Sequence, residues 1–219
     1  EGPETTIINL QGSQGRCIDF GVPNGPCVVE GFTIKNPNYN SDFGGGIYGD
    51  GDQPLVIRNC RFEDLSSTYS AGGTSGDRGG GAVFWSGDLL VEDSTFSRCS
   101  LQHQDNSPSL KAFGGGAIKS VDGNLTVRNS NFDNCSYEYF INSSNDTASG
   151  GGAIHMSISE DSESEGVLSI SDSTFVACNS GDESPLGNPD VCLGGAVCIV
   201  NSSGSITNSD FTDCTALQS

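Results

Sequence analysis

Cys99, Cys135, Cys178 and Cys214 each stand three residues after a phenylalanine, and a fifth copy of that spacing carries Leu65. If the copies stack, neighbouring thiols lie roughly 5 Å apart, inside the Cα separation a disulfide allows. Bridges such as Cys99 to Cys135 and Cys178 to Cys214 are therefore open, yet neighbours in one column point the same way. The preferred reading is a reduced ladder in which each thiol serves as a small buried hydrophobe. Cys17 with Cys27, and Cys192 with Cys198, are local pairs in or beside loops and make better disulfide candidates. Nine cysteines leave one over. Cys60 falls where the other copies have Ser94, Ser130, Ser173 and Ser209, and is expected to be that thiol. Zinc is disfavoured, because the cysteines lack C-x-x-C spacing and there are only two histidines.

Other residue types could do other chemistry. Asp50 and Asp52 in YGDGDQP could hold calcium or form an acidic solvent loop. Lys119 and His155 occupy equivalent positions on neighbouring copies, expected outward, where a base could take a proton. Without a carboxylate cluster in the same column the enzymatic reading is the weaker one. Tyr48 and Phe84 fill that column on the two preceding copies, and stacked outward rings would make a sugar platform or simply a cross-strand aromatic pair. Asn-x-Ser/Thr triplets at Asn124, Asn134, Asn142, Asn145 and Asn201 are possible glycosylation sites, although a chain rich in Asn and Ser produces such triplets by chance. No Ser-His-Asp set, phosphate loop or basic aromatic stripe rises above chance, and no cofactor or metal is expected.

The elements that would position these residues come from a repeat. GGGIYGDGDQPLVIRNCRF, GGGAVFWSGDLLVEDSTFSRC, GGGAIKSVDGNLTVRNSNFDNC, GGGAIHMSISEDSESEGVLSISDSTFVAC and GGAVCIVNSSGSITNSDFTDC are five versions of one phrase. An Ile/Val anchor follows each glycine run: Ile47, Val83, Ile118, Ile154 and Val197. A Leu-x-Val/Ile pair comes next, as in Leu89 and Val91, then Asn59, Asp93, Asn129, Asp172 or Asn208, then Phe62, Phe96, Phe132, Phe175 or Phe211. Apolar residues two apart with polar ones between are strands with one buried face. The Asn/Asp tolerates left-handed backbone and reads as a turn. Glycines before the anchor suit a tight bend or a close backbone approach. A weaker sixth copy is read in GFTIKNPNY, with Ile18 as anchor, Phe32 and Ile34 as the apolar pair, Asn36 as the turn and Tyr39 for the Phe.

None of these strands buries its apolar face alone, but stacked copies would pair backbones at about 4.8 Å per step and line up like side chains. The expectation is an all-β, right-handed, single-stranded parallel β-helix of about six coils. It would be one domain over residues 1–219, irregular in 1–43 and with five glycine-to-phenylalanine coils in 44–219. From each Phe to the next anchor the separation is 21, 22, 22 and 22 residues, with unrelated sequences, so one edge should carry stacked loops of matched size. SISEDSESEG in the fourth of these copies reads as a solvated acidic excursion.

A net charge of -19 disfavours nucleic acid and anionic membrane surfaces. No stretch approaches 18 apolar residues, so no membrane insertion by helix is expected. Nine cysteines suit an oxidising, extracellular compartment. The start without Met and the finish where the next glycine run would fall are expected of a processed or excised piece of a longer array.

GGAI, GGAV and F-x-x-C in this order resemble the GGA(I/V/L) and F-x-x-N repeats of the chlamydial polymorphic outer-membrane proteins, and related β-helix repeats of surface proteins in bacteria, algae and other protists. GFTIKN followed by GGGI resembles the pectate-lyase-like β-helix repeat. The likeness runs from about Gly31 onward, and departs at Leu65, Cys99, Cys135, Cys178 and Cys214, where the chlamydial repeat has Asn. It implies an extracellular or cell-surface rod for adhesion or display. Its partners would be further β-helix repeats or other copies end to end, or surface glycans or proteins. The competing expectation is a carbohydrate-binding or lyase-like β-helix.

Overall fold

The computed structural model describes residues 2–10, 15–35, 38–39, 44–69, 77–104, 111–140, 147–162, 165–182 and 191–217. Every strand pairing among them is parallel and joins one copy of the repeat to the next, giving five stacked sheets. The chain is a parallel β-helix, as the repeat predicts. Three sheets enclose the core. The anchor sheet carries Ile18, Ile47, Val83, Ile118, Ile154 and Val197 in register. The leucine sheet stacks Leu55, Leu89, Leu125, Leu168 and Gly204, with Ile57, Val91, Val127, Ile170 and Ile206 two residues on. The phenylalanine sheet stacks Phe62, Phe96, Phe132, Phe175 and Phe211.

Parallel strands in consecutive coils force identical side chains to meet, and the phenylalanines show what that does. Their centroids are 4.6, 4.8, 4.7 and 4.6 Å apart with planes within 3°. The ring offset is set by the backbone spacing, which holds each face against the next along the rod. Asn59, Asp93, Asn129, Asp172 and Asn208 sit at the corner between the leucine and phenylalanine sheets with φ of 48–51°. Asx residues tolerate this left-handed conformation best. A second left-handed corner follows each Phe, at Asp64, Arg98, Asn134, Ala177 and Asp213. Three of the five are Asx, but Arg98 and Ala177 break the column, which is why the repeat did not announce that corner.

The weak first copy lies one strand away from where its pattern placed it. Ile34 pairs with Phe62, so it belongs to the phenylalanine ladder. Cys27 and Val29 pair with Leu55 and Ile57 and supply the apolar pair. Gly31, at φ 78°, makes the corner that Asn59 makes one coil later. FTIKN and CVVEG both alternate apolar and polar, and a two-residue period cannot tell one face of the solenoid from another. Asn36 lies outside the described residues.

The matched connections are more than loops. Each leaves the phenylalanine sheet along an outgoing strand, as at Ser100–Gln104 and Ser136–Phe140, and returns along another, as at Lys111–Gly115 and Thr147–Gly151. Outgoing strands stack into one parallel sheet and returning strands into another. Leu101, His103, Tyr137 and Tyr139 are buried between them. A Cβ at Gly114 would fall 2.2 Å from the Leu101 side chain, and one at Gly150 would fall 2.0 Å from Tyr137. The glycine run thus has two uses: room for this second core, and close approach at the bend, where a Cβ on Gly116 would lie 2.0 Å from the carbonyl oxygen of Gly152.

Candidate functional site

The second core covers the outer face of the anchor sheet at Phe84, Lys119, His155 and Cys198. Lys119 and His155 are fully buried, and Phe84 is only 4% exposed. The expectation that Lys119 and His155 point into solvent is therefore corrected, because the outgoing and returning sheets form a side lobe over them. Tyr48 and Phe84 do stack, at 5.5 Å and 22°. Phe84 lies under the lobe, while Tyr48 is half-buried with the Arg16 guanidinium 4.1 Å over its ring.

Inside the lobe four polar side chains make a chain of contacts. Lys119 Nζ lies 2.7 Å from His155 Nδ1 and donates to Ser157 Oγ at 2.7 Å. His155 Nε2 lies 2.8 Å from Ser149 Oγ. The Phe113 ring is parallel to the imidazole, 6.2 Å between centroids, and Lys119 Nζ sits 5.8 Å from that ring. Burial, and then the Lys119 charge, hold the imidazole's pKa well below the ordinary histidine range. A neutral His155 accepting from Lys119 at Nδ1 carries its proton on Nε2 and donates it to Ser149. That arrangement cannot take a proton from the serine, so Ser149 is not activated as a nucleophile.

The thiols form a second internal column. Cys99, Cys135 and Cys178 are buried and unbridged, and each donates to the carbonyl of a Phe in the preceding coil, as Cys135 Sγ does to Phe96 O at 3.6 Å. Burial pushes the Cys135 thiol well up, so it stays protonated and unreactive. Cys60 heads the serine column: its N–H donates to Ser94 Oγ, the Ser94 N–H to Ser130 Oγ, and the Ser130 N–H to Ser173 Oγ. Cys17 and Cys27 stand as free thiols, and burial raises Cys17 to about 11. Cys198 is buried in the lobe, in register with His155. The Cys192 side chain lies outside the described residues.

On the surface, Asn124, Asn134 and Asn201 are exposed. Asn124 is tied to both neighbouring coils, donating to Asp88 Oδ1 at 3.0 Å and accepting from the Val167 N–H at 3.0 Å. Asn142 and Asn145 lie outside the described residues. Asp50 and Asp52 are exposed, and among the described residues no three of His, Cys, Asp and Glu converge as a metal site. A groove of about 580 Å³ runs across the coils past Asp52, Asp88, Asp122 and Asp161. Four carboxylates there repel an acidic polysaccharide.

The two ends of the stack differ. At the first coils Ile34 is fully buried in the phenylalanine sheet, where Ile7–Asn9 pairs with Thr33–Lys35, while Ile18–Asp19 and Cys27–Glu30 are the edge strands of the anchor and leucine sheets among the described residues. Thr33 donates to the Pro3 carbonyl, and Arg61 pairs with Glu4, pinning that segment. At the other end Ile206, Phe211 and Leu217 are 48, 42 and 63% exposed, and each presents the unpaired face of a ladder. Compared with known proteins, the chain matches no family model, no curated protein and no solved structure.

Proposed function

We propose that this chain is a non-enzymatic structural module of an extracellular or cell-surface assembly, an adhesin stalk or a filament, built by stacking β-helical coils end to end. The observation that carries the reading is the open face at residues 197–217. It presents in-register backbone and the ends of the Ile and Phe ladders, a template for another coil of the same pattern. Resemblance to surface β-helix repeats supports the extracellular setting and the adhesive role. The buried thiols of Cys99, Cys135 and Cys178 and the buried Ser149–His155 contact support a role without turnover.

Sedimentation velocity over a wide concentration range tests it, with electron microscopy of the same samples. Concentration-dependent end-to-end species that Phe211→Asp abolishes, with the monomer's spectrum kept, are the expected result. A strictly monomeric species at every concentration would overturn self-stacking. Turnover of any polysaccharide would overturn the non-enzymatic reading.

A further inference from the structure

The side lobe holds one buried contact between two basic side chains. Lys119 Nζ and His155 Nδ1 are 2.7 Å apart, a distance at which the two nitrogens share one proton, whichever of them formally owns it. A second proton would set two cations side by side. In the lobe neither is solvated, since Lys119 and His155 are fully buried and Ser149 and Ser157 nearly so.

What faces the pair decides whether that charge can be absorbed. From the anchor sheet come Lys119 on one side and Cys198 on the other. The returning strands bring Phe113 and Ser149, and the outgoing strands contribute His103, Tyr137 and Tyr139 to the same lobe. Lys119 is the one charge that acts on His155 among the described residues. The Tyr137 hydroxyl has no hydrogen-bond partner among the described residues.

From this geometry we infer that the Lys119–His155 pair makes the side lobe an acid-sensitive latch: on taking a second proton, the outgoing and returning sheets part while the three-sheet core stays stacked. The core does not share the burden, because its ladders of Leu, Ile, Val and Phe carry no titrating group in the neutral to mildly acid range. Opening would expose the inner faces of Leu101, Tyr137 and Tyr139, an aromatic surface hidden at neutral pH. This inference is independent of end-to-end stacking, since it concerns the flank of the rod.

Hydrogen exchange read by mass spectrometry, corrected for intrinsic rates, tests it in the intact chain at about pH 7.5 and about pH 5. At the lower pH, exchange in Ser136–Phe140 and Thr147–Gly151 should rise at least ~10-fold, with Leu125–Arg128 and Asn131–Asp133 unchanged. His155→Gln, whose amide can accept from Lys119 and donate to Ser149 but cannot titrate, should remove the acid step, and His103→Gln should keep it. Should His155→Gln fail to fold, NMR titration of the wild-type imidazoles decides the matter, since the chain has only two histidines. His155 protonating in concert with lobe opening supports the latch. An acid step that survives His155→Gln, a lobe equally protected at both pH values, or His155 titrating normally in a closed lobe would each overturn it.

Discussion

Asn129 illustrates how much a single position in a stacked fold is answerable to the positions above and below it. The corner column runs Asn59, Asp93, Asn129, Asp172, Asn208, alternating amide and carboxylate. The Asn129 amide donates to Asp93 Oδ1, and that of Asn208 to Asp172 Oδ1. Alternation keeps like charges two coils apart. Asn129→Asp would place three carboxylates in consecutive turns and remove a donor. A loss of about 1–2 kcal/mol is expected in urea melts at neutral pH and low salt, shrinking as pH falls through the carboxylate range. Glu92 follows similar logic on the leucine sheet, held between Arg128 and Arg58. Hydrogen bonds from Arg128, then Arg58, keep its carboxyl below the usual range despite desolvation. A lowered native pKa stabilises the fold above the unfolded value and loses that stabilisation as pH falls through the native one. Glu92→Gln should therefore cost stability at pH 7 and flatten the acid limb of the stability profile below about pH 4.5.

At the scale of the element, the ladder is the unit that stabilises. A phenylalanine inside the stack has rings on both faces, whereas Phe211 has Phe175 on one face only. Phe132→Ala should cost about 3–5 kcal/mol, through lost burial and the cavity left in a core whose backbone cannot collapse. Phe211→Ala should cost under about 1 kcal/mol, because its ring is already 42% exposed. Equal losses at both positions would show that the rings do not act as a stack. The bend after the glycine run is as demanding in the other direction. Gly116→Ala drives a methyl into the Gly152 carbonyl and the Ser136 N–H, both backbone, and roughly 3 kcal/mol of destabilisation is expected in thermal or urea denaturation.

The whole molecule carries a net charge of -19 on 219 residues, so its acidic side chains repel one another. Self-repulsion of this kind is long-ranged and screened by salt. Raising sodium chloride from about 0.01 to 0.15 M should increase the urea midpoint, and no change would mean that the local ion pairs already neutralise the field. A solenoid also unfolds from its weakest end, because each coil contacts only its neighbours. Native-state hydrogen exchange should fall in protection toward Val197–Val200 and Ser203–Thr207, whose outer edges are unpaired, and remain highest around Leu89–Glu92 and Leu125–Arg128.

Side-chain period and copy-to-copy alignment were enough to determine the coils, the anchor, leucine and phenylalanine columns and the Asn/Asp corner, while the cysteine column was left open between bridged and reduced. Each is a consequence of strands two residues in period stacked in register, and register is local information. Period alone could not assign the first copy, where CVVEG and FTIKN offer the same alternation and only pairing with Leu55 and Phe62 separates them. Tertiary structure alone decided the side lobe. The connections there share a length and almost no pattern, and their burial comes from facing sheets meeting across glycines. That meeting turned Lys119, His155 and Phe84 from surface residues into interior ones, because outward from one core is inward to the next.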